Sequence, residues 1–223
     1  MTSTNFRLKA GLRTFLAGEE LMVWIELRFP VIGTALPSDH GYAMYSAISK
    51  LVPEAHQADW LAVETVPGTA RGDGGIHINE RARLRMRMPQ DRLPLMLKLA
   101  GKRLEVDGYG VRLGVPQTFL LNPSSALYAR CVTIKKFMEP EPFLDAVRRK
   151  LDELEVKGQA EIGRRRAFRV GNHTIVGFGL TLRELSDEAS LLVQERGIGG
   201  RRHMGCGFFV PIVHSALEKG PPH

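Results

Sequence analysis

Twice along this chain, alternating and helical hydrophobic periods follow one another in the same order, and that order limits the folds open to it. In the first half, Leu21 to Phe29 reads as a strand, and Ser38 and Asp39 offer an N-cap to a helix from about His40 to Leu51 that Pro53 stops. Trp60 to Val66 and Ile76 to Met88 read as further strands, and Gln90 to Ala100 as a helix ended by Gly101. Lys102 to Leu113 predicts a hairpin turning at Asp107-Gly108, with Pro116 to Leu121 continuing as extended chain. In the second half, Ala126 to Ile134 is a strand and Glu141 to Leu154 an amphipathic helix opened by prolines. Arg166 to Val170 and Thr174 to Leu182 form a hairpin around Gly171-Asn172, Ser186 to Arg196 is a helix, and Phe208 to Val213 is the last strand. Each half is therefore β-α-β-β-α-β, the ferredoxin-like succession. The expected fold class is α+β, with tandem ferredoxin-like units over residues 21–122 and 123–223, joined near Asn122-Pro123-Ser124-Ser125, and a leading extension over 1–20. A single larger α+β domain is the alternative.

Between the last helix and the last strand lies Gly197-Ile-Gly-Gly-Arg-Arg-His-Met-Gly-Cys-Gly207, with five glycines in eleven residues. Glycine loses more conformational freedom on ordering than any other residue, so this density suggests a backbone that must turn or approach a partner closely. Gly197, Gly199, Gly200, Gly205 and Gly207 surround Arg201, Arg202 and His203. Backbone N–H groups beside guanidinium groups suit phosphate oxygens. A flexible turn with solubilising arginines is the alternative.

The 223 residues suffice for a sizeable core, and 43% hydrophobic with 25% charged residues is an ordinary globular composition. No apolar run is long enough to span a membrane, and Met1 to Glu20 lacks the apolar core and cleavage site of a signal peptide. A cytoplasmic, membrane-free protein is expected. The two cysteines, Cys131 and Cys206, do not indicate a disulfide framework. A net charge of +7 points to a polyanionic partner, with nucleic acid ahead of membrane. Aromatic residues make up only 7%, and no strand carries a base-stacking signature, so RNA contact would fall to arginines and loops. No second ligand pair accompanies His203 and Cys206, so neither a metal site nor a cofactor is expected.

His40, at the predicted start of the first helix in Leu36-Pro-Ser-Asp-His-Gly-Tyr-Ala-Met-Tyr45, is the histidine best placed for chemistry. A histidine there can move a proton near neutral pH, and a helix N-terminus favours an approaching phosphate. RNA supplies its own nucleophile, the 2′-OH, so scission needs one group to take that proton, one to protonate the leaving oxygen and a cation beside the phosphorane. Tyr42, Tyr45 and Lys50 are the candidate helpers. A histidine that only caps or packs at the helix start is the alternative reading.

Arg81, Arg83, Arg85 and Arg87 alternate with apolar residues, which predicts guanidinium groups about 7 Å apart on one strand face, close to the phosphate spacing of a nucleic acid. A solvated strand face is the competing reading. Arg164, Arg165 and Arg166 follow a Gly-containing connection read as flexible, without nearby acidic partners after Glu161, which favours RNA contact. Arg148, Arg149 and Lys150 sit among Asp145, Asp152 and Glu153 and are explained by helix charge pairing.

The tandem order, the Leu36–Tyr45 segment, Glu195-Arg-Gly-Ile-Gly-Gly-Arg-Arg-His-Met-Gly-Cys-Gly-Phe-Phe-Val-Pro211 and Val132-Thr-Ile-Lys-Lys-Phe-Met-Glu-Pro-Glu-Pro-Phe143 together resemble the sixth CRISPR-associated protein family, repeat-RNA-processing endoribonucleases of the RAMP superfamily. The resemblance runs from about Leu21 to Val213. It implies metal-independent cleavage of precursor CRISPR RNA within its repeats, leaving 5′-OH and 2′,3′-cyclic phosphate ends. It further implies His40 at the catalytic histidine position, the glycine-rich loop on the repeat backbone, retention of the mature guide RNA and association with other effector-complex subunits. A non-catalytic repeat-RNA-binding subunit is the alternative, and a small-molecule phosphate-ester enzyme a weaker one.

Overall fold

Alternating side chains in β1 (Trp24–Ile32) bury Ile25, Leu27, Phe29 and Val31 on one face, and this strand becomes the middle of the first sheet of the computed structural model, which describes residues 22–171 and 173–212. After the short β2 (Ala35–Pro37), α1 (Gly41–Leu51) packs Met44, Ala47 and Ile48 into the core. The next strands are β3 (Ala62–Val63), β4 (Thr69–Ala70), β5 (Gly75–His77) and β6 (Arg83–Pro89). A one-turn helix α2 (Leu93–Leu97), the hairpin β7 (Arg103–Val106) and β8 (Tyr109–Leu113), and β9 (Gln117–Leu120) complete the first half. Asp107 and Gly108 both take positive φ, as a two-residue hairpin requires.

The principal strands stand in the order β3-β6-β1-β9, all antiparallel; β8 continues along the far end of β1 and carries β7 with it. The second half holds β10 (Leu127–Val132), α3 (Pro140–Glu153), β11 (Gln159–Val170), β12 (His173–Arg183), α4 (Asp187–Arg196) and β13 (Phe209–Pro211). Its strands run β11-β12-β10-β13, the same spatial order of second, third, first and fourth strand. In α3, Phe143, Ala146, Val147 and Leu151 recur at helical spacing and close a separate core with β10 and β12. Ser186 caps α4 by accepting from the Ala189 N–H at 3.2 Å. The molecule is thus a mixed α+β fold built on antiparallel sheets.

Three expectations need correction. The segment 76–88 is not one strand: β5 belongs to a small separate sheet, ordered β2-β5-β4, and β6 to the main one. The segment read as a flexible connection before Arg166 is strand, because β11 begins at Gln159; a bulge between Ile162 and Arg165 interrupts the alternation that would have marked it. The arginine ladder does not form a free row. Glu26 lies opposite Arg87 across the β1–β6 pair, and Arg28 opposite Arg85. The Glu26 carboxylate accepts from Arg85 at 2.8 and 3.0 Å, from Arg87 at 2.9 Å and from Arg28 at 2.6 Å. The expected extension over 1–20 and the end of the last strand at Val213 lie outside the described residues.

Arg87 also joins the two halves. Its Nη1 donates to the carbonyls of Gln194 and Phe209, and its guanidinium lies 4.2 Å from the Phe208 ring centroid. Burial pulls the Arg87 pKa down to about 10, so it is still a cation at neutral pH. Burial alone would raise the Glu26 carboxyl, yet Arg85, Arg87 and Arg28 together hold it down at about 2. With the unfolded value near 4.5, Glu26 stabilises the fold above that pH, and the contribution is lost as pH falls through about 2. Acid denaturation followed by circular dichroism is expected to steepen across that window in the wild type and to flatten in Glu26→Gln. Arg87→Met removes a buried charge and leaves two carbonyls unpaired; the expected cost is about 3–5 kcal/mol in urea unfolding.

Candidate functional site

The glycine-rich loop is built by close contacts to both halves. Gly197 ends α4 at φ 65°, its N–H donating to the Val193 carbonyl. Gly199, at φ 81°, presses on the Thr133 carbonyl, and the Gly200 N–H donates to that same oxygen at 2.9 Å. The Thr133 hydroxyl returns a bond to the Gly200 carbonyl at 3.1 Å. Arg201 takes the left-handed conformation, a single 3₁₀ turn follows over residues 202–204, and the Gly207 N–H donates to the Cys131 carbonyl at 2.8 Å. On the side of the first half, a Cβ on Gly205 would strike Thr65, and one on Gly41 would strike the Met204 carbonyl. The density of glycine therefore reflects packing against β10, α1 and the segment after β3.

This packing decides what the loop side chains can do. Arg202 turns inward: Nη2 donates to the Glu195 carbonyl at the end of α4, and the guanidinium carbon lies 5.6 Å from the Trp24 ring centroid. Burial, with Arg87 and Arg196 nearby, lowers its pKa to about 10. His203 places its ring 4.1 Å from that of Tyr45; burial, then Arg201 and His56, lower its pKa. Arg201 is half-buried.

His40 is completely buried. Its Nδ1 lies 2.7 Å from the Pro37 carbonyl and its Nε2 accepts the Val66 N–H at 2.9 Å. Since a carbonyl can only accept and an amide N–H only donate, the ring is a neutral imidazole protonated at Nδ1. Burial is the main cause of its lowered pKa, opposed by the Pro37 bond. The helper candidates are separated from it. Tyr42, Tyr45 and Lys50 line a depression of about 240 Å³ with Ser46, Ser49 and His56, a surface to which His40 does not contribute. Tyr45 is itself buried, its hydroxyl accepting from the Gln57 N–H, while Tyr42 and Lys50 are exposed.

The residues flanking His40 in sequence open instead onto a cleft between the halves, about 230 Å³. Ser38, Asp39 and Thr65 form one wall, Arg130, Arg166, Ala167 and Phe168 the other, and Met204, Gly205, Cys206 and Cys131 complete it. Arg130 spans the cleft, donating to the Thr65 hydroxyl at 2.8 Å, and Arg166 Nε donates to the Arg130 carbonyl at 3.0 Å. Burial and the neighbouring Arg166 both lower the Arg130 pKa, which marks a concentration of positive charge. Asp39 accepts the Arg169 N–H at 2.9 Å and so fastens β11 to the start of α1. An anion entering the cleft meets two guanidinium groups, and one of them, Arg130, is near enough to His40 to help lower its pKa.

Of the other basic candidates, Arg164 and Arg165 are exposed on β11, Arg81 is exposed before β6, and Arg83 donates to the Glu80 and Ala82 carbonyls. Arg130 and Thr65 were not singled out from sequence. The one available signal for Arg130 was its place in β10, between the buried Ala129 and Cys131, where an outward-facing residue is expected. Among the described residues, no three His, Cys, Asp or Glu side chains come together as a metal-binding group, and no helix is long and apolar enough to cross a membrane.

The family model described as Cas6 Crispr matches residues 25–214. The chain is 40% identical over 196 residues to a CRISPR-associated endonuclease Cas6 of Myxococcus xanthus, covering 88% of this chain and 85% of that protein. Among solved structures it is similar to an RAMP protein described as binding different RNA substrates, with TM-score 0.63, 16% identity, and 86% and 100% of the two chains covered. It also resembles a Cas6-related protein from Pyrococcus furiosus, at TM-score 0.62 and 13% identity, over 86% of this chain and 99% of that one.

The two glycines facing Thr133 separate packing from mere flexibility. Gly199→Ala forces a side chain into the Thr133 carbonyl at positive φ and is expected to cost about 1–3 kcal/mol in urea unfolding. Gly200→Ala meets open space and is expected to change stability by less than about 0.5 kcal/mol.

Proposed function

This chain belongs to the Cas6 family and is an endoribonuclease; from that premise we propose that it cuts precursor CRISPR RNA within its repeats, without a metal, by attack of a 2′-OH on the adjacent phosphodiester. The products are a 5′-OH and a 2′,3′-cyclic phosphate, and the mature guide RNA stays bound, in the cytoplasm, as the protein associates with other subunits of an effector complex. The shared strand order of the two sheets supports reading the chain as tandem ferredoxin-like units over 21–122 and 123–223. The observation that carries the mechanism is the basic cleft beside His40, with Arg130 and Arg166 on its wall.

In this reading the scissile phosphate lies between the two guanidinium groups, which stabilise the developing charge of the phosphorane. His40 is neutral at physiological pH, with Nδ1–H fixed on Pro37, so its Nε2 lone pair is the basic site. That lone pair now holds the Val66 N–H, and the ring must exchange that bond for the 2′-OH when RNA enters. Tyr42 and Lys50, on the exposed side of α1, together with Tyr45 serve the helper roles only through RNA that reaches their depression. The loop backbone from Gly197 to Gly207, with Arg201 and His203, contacts the repeat near the cut, and Arg81, Arg83, Arg164 and Arg165 extend the phosphate path. Arg202 supports the loop from within.

A second reading has its own observation. With both ring nitrogens engaged and no surface exposed, His40 can serve as a structural pin between β2 and the segment after β3, leaving the proton transfers of cleavage to other groups.

Labelled repeat RNA in EDTA distinguishes the two, using wild type, His40→Ala checked for folding by its thermal transition, and RNA with a 2′-deoxy at the scissile nucleotide. The expected result is cleavage by wild type, loss of roughly 10²–10⁴ in single-turnover rate for His40→Ala with binding retained, and no reaction of the deoxy substrate. Wild type that binds tightly and never cuts in EDTA overturns the metal-independent mechanism. A folded His40→Ala that cuts at the wild-type rate removes His40 from the chemistry.

A further inference from the structure

Both cysteines of the chain are in one place, and the RNA chemistry uses neither. Cys131 is the last but one residue of β10, and Cys206 lies 75 positions later in the glycine-rich loop, yet their sulfurs are 4.0 Å apart as free thiols. The backbone holds them there: the Gly207 N–H is bonded to the Cys131 carbonyl at 2.8 Å, and the Cys206 N–H to the Arg201 carbonyl at 3.3 Å. Gly177 on β12 keeps the space open, since a Cβ there would sit 2.6 Å from the Cys131 sulfur. Both residues also line the cleft that carries Arg130 and Arg166, so a small solute reaches them by the route an anion would take. A bonded pair of sulfurs is about 2.05 Å apart, so linking the two requires their side chains to approach by about 2 Å.

We propose that Cys131 and Cys206 form a reversible modification site, closing to an intramolecular disulfide when hydrogen peroxide enters the cleft. The Cys131 thiolate attacks one peroxide oxygen, the O–O bond breaks, and the departing hydroxide takes a proton and leaves as water, giving a sulfenic acid. The Cys206 sulfur then displaces the sulfenic hydroxyl, which leaves as the second water with the Cys206 proton. Two thiols lose two electrons in all, and one peroxide is reduced to two waters. A dithiol restores both thiols by exchange. The order of attack follows from the surroundings: the bond from Cys206 and the neighbouring Arg166 and Arg130 lower the Cys131 pKa, whereas that bond and burial raise Cys206 far above the ordinary thiol value. The link would tie the loop covalently to β10. This inference is independent of whether His40 is catalytic.

Because the chain has only these two cysteines, the test needs no background substitutions. Full-length protein is treated with hydrogen peroxide, denatured, alkylated without reductant, and measured by intact mass and peptide mapping. The expected result is loss of two hydrogens, no alkylation, a linked pair of peptides containing Cys131 and Cys206, and full recovery of both thiols with dithiothreitol. Cys206→Ser is expected to stop at oxygen adducts on Cys131. Wild type that keeps two alkylatable thiols, that collects oxygen on Cys131 without linking, or that links between chains overturns the proposal.

Discussion

Arg87 is the constraint on which the arrangement of this molecule depends. A guanidinium with almost no solvent contact is costly to bury, and it is kept because four groups converge on it: the Glu26 carboxylate from its own sheet, two carbonyls from the other half and the Phe208 face. The carbonyls belong to α4 and β13, the elements on either side of the glycine-rich loop. One side chain thus fixes where that loop begins and ends relative to the first sheet. Hydrophobic contact alone could let the two halves slide, whereas hydrogen bonds to particular oxygens admit few arrangements.

With both ends fixed, the loop is pressed into the seam, and the cleft is what remains between Thr65 and Asp39 on one side and β10 and β11 on the other. The position of His40 follows from the same seam. Its ring bridges Pro37 and Val66, and Val66 directly follows the threonine that Gly205 and Arg130 touch. Two guanidinium groups, an imidazole nitrogen with its lone pair on a backbone N–H and a tightly packed loop are therefore neighbours because one contact between the halves brings them together.

Much of this architecture was legible in the sequence, and the gaps have physical causes. Periodicity located α1, α3, α4 and the hairpin at Asp107-Gly108 because local pattern and local structure agree there. The start of β11 was missed because its bulge breaks the period of two, and Trp60–Val66 shrank to a two-residue strand because pairing with β6 is brief. The alternating arginines of β6 read correctly as one face, but which partner strand supplies Glu26 is a matter of register, which the chain does not spell out. For the same reason Arg130 and Thr65 escaped notice: each is unremarkable alone, and they meet only through tertiary folding. The segment around His40 marks it in the sequence as the start of α1, but its burial and its bond to Val66, 26 residues away, are tertiary.

The contact between Gly41 and the Met204 carbonyl has a further meaning. Two segments 163 positions apart meet with no side chain between them, so the seam there is backbone against backbone. Surfaces of that kind have no rotamers with which to accommodate a change. The two halves, alike in strand order, are consequently not interchangeable modules: neither could be duplicated, swapped for its counterpart or joined through a rebuilt loop without recreating the same matched contour. Whatever symmetry the chain began with, this interface has made each half specific to the other.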